Sequence, residues 1–156
     1  MENKYFIFQT YIRHVLDYNI VFYFPCTRVL ISLLEKVQRR STKKICPRGL
    51  CYEQRLVLLS GMSIERNYKI LTLTTMNRII FCGLVIDGFD YSLFNSTTRG
   101  SAYKISNPFC KSNRRKSFPL LRHIQMWNSL KPKTKDLSSL SAFRHFLIEN
   151  VHKTQA

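Results

Sequence analysis

The chain has 156 residues, 45% of them hydrophobic, and sets 25 Lys and Arg against 9 Asp and Glu, a formal charge of +16. That length holds one domain or two small ones, and that apolar fraction excludes disorder by composition. The cationic excess points to polyanionic partners, while five cysteines without regular spacing argue against a disulfide framework and for a reducing compartment.

The opening "MENKYFIFQTYIRHV" is not patterned as a signal peptide: an acid stands second, and Gln9 and Arg13 interrupt the apolar run. Residues 3 to 17 are predicted helical, with Phe6, Ile7, Tyr11, Val15 and Leu16 as candidate core contacts. "YNIVFYFP" reads as a short strand or as an apolar continuation of that helix, ended by Pro25. Residues 28 to 45 give the clearest helix. Leu30, Leu34, Val37 and Ile45 fall on one face, Lys36, Arg40, Lys43 and Lys44 on the opposite one, and Pro47 and Gly49 close it.

"YEQRLVLLSG" predicts a short helix with Gly61 as its left-handed cap, after which Ser63 N-caps a helix from Ile64 to Ile86. Spacing there is helical although the Thr and Ile content is β-like. From Tyr91 to Lys135 there is no acid and there are ten basic residues; the Ser- and Asn-rich part from Asn95 to Ser117 predicts an irregular basic loop. A helix over 120–130 carries Leu121, Ile124 and Trp127 or Met126 inward. Ser138 or Ser139 then caps a last helix with the stripe Leu140, Phe143, Leu147 and Val151. The expected fold is mostly α: a small helical bundle with a basic irregular loop and a C-terminal helix. Its expected divisions are a helical region over 1–90, the basic loop over 91–118 and the C-terminal helical segment over 119–156. The longest apolar stretches, "NIVFYFPC" and "RIIFCGLVID", fall short of the roughly 20 residues a membrane span needs, so no membrane is expected as partner.

Enzyme chemistry leaves no motif: there is no glycine-rich phosphate loop, no HExxH and no nucleophile elbow. Asp87 and Asp90 in "DGFD" are the only close acid pair and read as turn residues rather than metal ligands. Cys46 and Cys51 have the wrong spacing for a Cys-x2-Cys knuckle, and His14, His123, His145 and His152 have no cysteine at ligand spacing. No catalytic residue, metal or cofactor is therefore expected in the chain itself. Trp127 reads as a core anchor.

Charge remains. Lys36, Arg39, Arg40, Lys43 and Lys44 fall within nine residues, and a second cluster over 99–122 includes Arg99, Arg114, Arg115 and Lys116. Tyr103, Phe109 and Phe118 are interleaved in the second. Cations with aromatics suit phosphate contacts plus base stacking; the bland alternative is a solvated charged face.

The order of several phrases carries a resemblance. "YIRHVLDYNIVFYFP" is followed by "LLEKVQRRSTKKI", "CYEQRLVLLSGMSIERNYKI", "TTRGSAYKI", "MWNSL" and "SLSAFRHFL". This set, from about Tyr11 to about Val151, resembles the C-terminal region of reverse transcriptases from non-LTR retrotransposons of the jockey and related LINE kinds. Leu34, Glu35, Val37, Gln38, Arg39 and Arg40 match one helix signature of that region, and Tyr52, Arg55 and Leu56 the next. Thr98, Arg99 and Gly100 match a third element, and Trp127, Asn128 and Leu130 a fourth. The chain departs from the pattern at Asp17, Tyr23, Ser41, Asn67, Tyr68 and Lys131.

The resemblance implies a thumb-like region that follows a polymerase core and handles template and primer. It implies sequence-nonspecific contact with RNA or RNA–DNA hybrid, the polymerase core as packing partner, and an intracellular place, nucleus or cytoplasm. The aromatic-x-Asp-Asp box that holds Mg2+ in the family has no counterpart in this sequence, so RNA-directed DNA polymerase activity is expected of the parent and not of this chain. The alternatives are an independent small basic nucleic-acid-binding module, or the non-functional product of a decayed gene.

Overall fold

The computed structural model describes residues 6–18, 20–59, 61–85, 92–93 and 103–150. The fold is mostly α, as expected, and among the described residues no strand forms beyond an isolated antiparallel bridge between Leu93 and Ile105. The chain divides into two compact units, Met1–Tyr68 and Lys69–Ala156.

In the first unit a π-helical segment, Phe8–Arg13, runs into the short helix α1 (His14–Asp17), followed by α2 (Ile20–Tyr23). Within "YNIVFYFP" the residues Ile20–Tyr23 are helical and not a strand; Phe24 and Pro25 follow that helix, and Phe24 is buried, stacked on Tyr68 with ring centroids 3.9 Å apart. α3 (Arg28–Ile45) has the predicted bounds. α4 (Tyr52–Leu58) starts from a capping box that composition did not announce. The Cys51 sulfur accepts from the Gln54 amide, and the Gln54 side chain accepts from the Cys51 amide. Gly49, not Gly61, takes the left-handed conformation here, at φ +95°. Gly61 instead donates its N–H to the Leu56 carbonyl.

Two apolar faces are turned by one residue from the predicted register. Phe6, Ile7, Tyr11 and Val15 are exposed, while Phe8 is buried with Cys46 and Leu59 and Ile12 packs against them; Leu16 is half-buried. In α3 Leu30 and Val37 are about half exposed, and the fully buried side chains are Gln38 and Thr42. One turn explains both shifts. The Met62 carbonyl accepts from Arg13 Nη1 and from Gln38 Nε2, each at 2.8 Å. Arg13 also pairs with Asp17 at 2.7 Å, and Asp17 accepts from Asn67 Nδ2 at 2.8 Å. Orphaning such partly buried polar groups costs about 1–3 kcal/mol each. Half-exposing a Val or Leu forfeits roughly 1 kcal/mol. The register that forms keeps these polar contacts and leaves Leu30 and Val37 half exposed, with Gln38 Oε1 buried without a hydrogen-bond partner among the described residues.

α5 (Ile64–Phe81) starts as predicted, with Ser63 Oγ accepting from the Arg66 amide at 3.2 Å. It ends at Phe81, short of Ile86. Gly83 at φ +66° closes it, with the Leu84 amide bonded back to the Arg78 carbonyl. The boundary between the two units falls inside this helix. Its β-like threonines are accommodated because Thr74 and Thr75 donate to the carbonyls of Ile70 and Leu71.

The second unit adds α6 (Asn113–Lys116), α7 (Pro119–Asn128), α8 (Pro132–Lys135) and α9 (Leu140–Asn150). Leu121, Ile124 and Trp127 are buried as expected, as are Phe143 and Leu147; Val151 lies outside the described residues. Trp127 is fully buried, its centroid 5.8 Å from that of Phe143, and its Nε1 donates to the Tyr103 carbonyl at 2.8 Å. Asn128 bonds both the amide and the carbonyl of Ile105, at 3.1 and 2.8 Å. The segment read as an irregular loop is therefore pinned at 103–105 and coils into one helical turn at α6.

Candidate nucleic-acid interface

The exposed side of α3 is apolar in its first half, through Val29, Leu30, Leu33 and Val37, and cationic in its second. Lys36, Arg39, Arg40, Lys43 and Lys44 are all exposed. They lie beside Leu30 and Val37 rather than opposite them, as about 100° of turn per residue requires, and the buried face of the helix runs through Gln38 and Thr42.

The helix has one acid, and it points away from this surface. Glu35 Oε1 accepts from the Ile64 amide at 2.8 Å, and Oε2 accepts from the Tyr52 hydroxyl at 2.5 Å. A carboxylate at the first turn of α5 also complements the positive end of that helix. Both oxygens are thus engaged inside the unit, and among the described residues Glu35 forms no ion pair with any of the five cations. Burial and the Glu35 hydrogen bond push the Tyr52 phenol well above its ordinary pKa, so Tyr52 stays neutral. The Arg39 guanidinium lies over the Tyr52 ring, 4.7 Å from its centroid, and that of Arg55 lies at 5.8 Å. Gln54 and Cys51 set this geometry by fixing the start of α4, which places Tyr52 and Arg55 one turn apart on neighbouring positions of its surface.

The second cluster belongs to the second unit. Ser112 Oγ accepts from the Arg115 amide and starts α6, whose Arg114, Arg115 and Lys116 are exposed. Phe109 and Phe118 are exposed and open to stacking. Tyr103 is not: its ring packs on Phe81 at 4.6 Å and its carbonyl is held by Trp127. Arg99, Asp87, Asp90 and His152 lie outside the described residues.

Sequence pattern singled out neither Tyr52 with Arg55 as partners of Arg39 nor Glu35 as an inward residue. A usable signal was present. Glu35, Gln38 and Thr42 are spaced by three and four residues, so a polar stripe, not only an apolar one, ran down one face of the helix.

Among the described residues no group of three or more His, Cys, Asp or Glu side chains could hold a metal ion, and all five cysteines are free thiols. Among the same residues no helix is long and apolar enough to cross a membrane. No protein-family model, curated protein or solved structure matches this chain.

Proposed function

We propose that the chain is the post-polymerase, C-terminal part of a non-LTR retrotransposon reverse transcriptase, catalytically incomplete by itself, and that it binds RNA or RNA–DNA hybrid through backbone phosphates. One observation carries the binding: five cations share the exposed side of one helix whose single acid is turned inward. Phosphate contacts release counterions and give affinity without reading sequence. The exposed Phe6, Ile7, Tyr11 and Val15, with Val29 and Leu33, supply apolar surface of the kind a polymerase core would cover. In this reading Mg2+ chemistry belongs to the parent polymerase, and no catalytic step is assigned to residues of this chain. The test is fluorescence anisotropy with labelled single-stranded RNA and RNA–DNA hybrid of several scrambled sequences. Binding that varies little with sequence is expected; absence of binding at low salt refutes the reading.

A second reading, an independent basic binding module, is favoured by the polar network of the first unit. Three positions at which the sequence departs from the resembled pattern hold partners there: Asp17 bonds Asn67, and Tyr68 stacks on Phe24. A cooperative thermal melt of the full chain, followed by far-UV circular dichroism, supports it, and a broad non-cooperative one counts against it.

A further inference from the structure

Two guanidinium groups in the first unit are fixed by an aromatic ring and not by a carboxylate. Arg39 comes from α3 and Arg55 from α4, and both lie within 6 Å of the Tyr52 centroid, at 4.7 and 5.8 Å. Arg55 is held further by long contacts to main chain, Nη1 to the Arg39 carbonyl at 3.5 Å and Nε to the Cys51 carbonyl at 3.4 Å. The acid in this arrangement, Glu35, is spent on the Tyr52 hydroxyl and the Ile64 amide. Among the described residues neither arginine makes an ion pair, whereas Arg13, inside the same unit, is neutralised by Asp17 at 2.7 Å. The result is a pair of guanidinium groups, without an ion-pair partner among the described residues, whose positions are set before any ligand arrives.

Position matters for arginine in a way it does not for a free lysine. The guanidinium is a planar fork whose donors match phosphate oxygens two at a time. Ordering a long side chain on binding costs free energy, and a side chain already stacked on a ring has surrendered much of that freedom. Lys36 and Lys43 lie three residues before and four after Arg39, on the same exposed side of α3, and extend the cationic track as mobile charges.

We propose that Arg39 and Arg55 form a preorganised phosphodiester clamp, in which both guanidinium groups donate to backbone phosphate while Tyr52, anchored by Glu35, is the positioning residue. This rests on the nucleic-acid reading and adds to it the one place where contact depends on geometry as well as charge. The site accepts a phosphate backbone of any sequence; the flanking lysines contribute charge alone.

The experiment uses the full chain and a labelled RNA–DNA hybrid, with affinity measured at several salt concentrations. R39K/R55K keeps the charge, shortens each side chain by one bond, and removes the planar forks that stack on Tyr52. Its affinity falls about tenfold, the size expected from losing the pre-arrangement of two long side chains, and the salt slope stays that of wild type. Y52L falls in the same direction with the slope unchanged, and circular dichroism reports whether it stays folded. R39A/R55A flattens the slope by about 1.4 to 1.8, two phosphate contacts at about 0.7 to 0.9 each. Wild-type affinity in R39K/R55K overturns the clamp and leaves general electrostatic binding standing. Absence of wild-type binding overturns both.

Discussion

Replacing Glu35 by alanine removes one acceptor from two donors at once. The Ile64 amide, on a fully buried residue at the first turn of α5, loses its 2.8 Å bond, and the half-buried Tyr52 hydroxyl loses its 2.5 Å bond. A hydrogen bond to a charged group contributes about 1.5–3 kcal/mol. Glu35 is only partly buried and the two bonds share a carboxylate, so E35A is expected to destabilise the protein by about 2–4 kcal/mol rather than by the full sum. Urea denaturation followed by far-UV circular dichroism measures it. The control is E53A, which removes an exposed acid and is expected to stay within about 0.5 kcal/mol of wild type. Binding supplies a second readout, on which two effects of Glu35 oppose each other. E35A leaves 25 cations against 8 acids and raises the formal charge from +16 to +17, which by diffuse attraction strengthens association with a polyanion. Loss of the anchor on Tyr52 loosens Arg39 and Arg55 and weakens it. Weaker binding at a temperature where both proteins are folded is expected. E35A that melts like E53A and binds more tightly refutes the inward role of Glu35.

Trp127→Ala empties a fully buried site and is expected to cost about 3–5 kcal/mol in a thermal melt. Asn128→Ala removes both bonds to Ile105, costs about 1–3 kcal/mol, and speeds amide exchange at 103–105; unchanged exchange there contradicts the pinning of the loop. Lys135 is buried, which lowers its pKa; nearby Lys104 acts in the same direction and Asp136 opposes it. Between that lowered value and the ordinary one the unfolded chain binds more protons, so stability contributed at this site rises with pH. The melting temperature of wild type relative to Lys135→Met should therefore climb from neutral pH toward pH about 10, and a flat or falling difference contradicts the burial of the ammonium. Val29→Lys with Leu33→Lys, both on the exposed apolar half of α3, should lower self-association in light scattering without lowering the melting temperature. A wild-type chain that stays monomeric at high concentration contradicts that.

The elements themselves were legible. The bounds of α3, the Ser63 start of α5 and the inward Leu121, Ile124 and Trp127 all follow from spacing and capping residues, which act locally. The register of α3 and of the segment before α1 was not. It is decided by the Met62 carbonyl and the Ile64 amide, which lie 24 and 29 residues from the side chains that bind them, Gln38 and Glu35. Apolar periodicity carries no information about such distant partners, and Leu30 and Val37 scored as core because they are apolar. The cations of the candidate interface could be named from the sequence because nothing in the fold had to bring them together: they are one stretch of one helix. Arg55 could not be placed beside Arg39 in the same way, since Tyr52 on a second helix is what joins them.

The most direct test of phosphate binding by this face is the slope of log affinity against log salt for the wild-type chain on single-stranded RNA. Six contacts, one for each cation of α3 from Lys36 to Lys44 and one for Arg55, predict a slope of about −4.2, hence a loss of about three hundredfold between 50 and 200 mM salt. Affinity that is unchanged over that range contradicts the account.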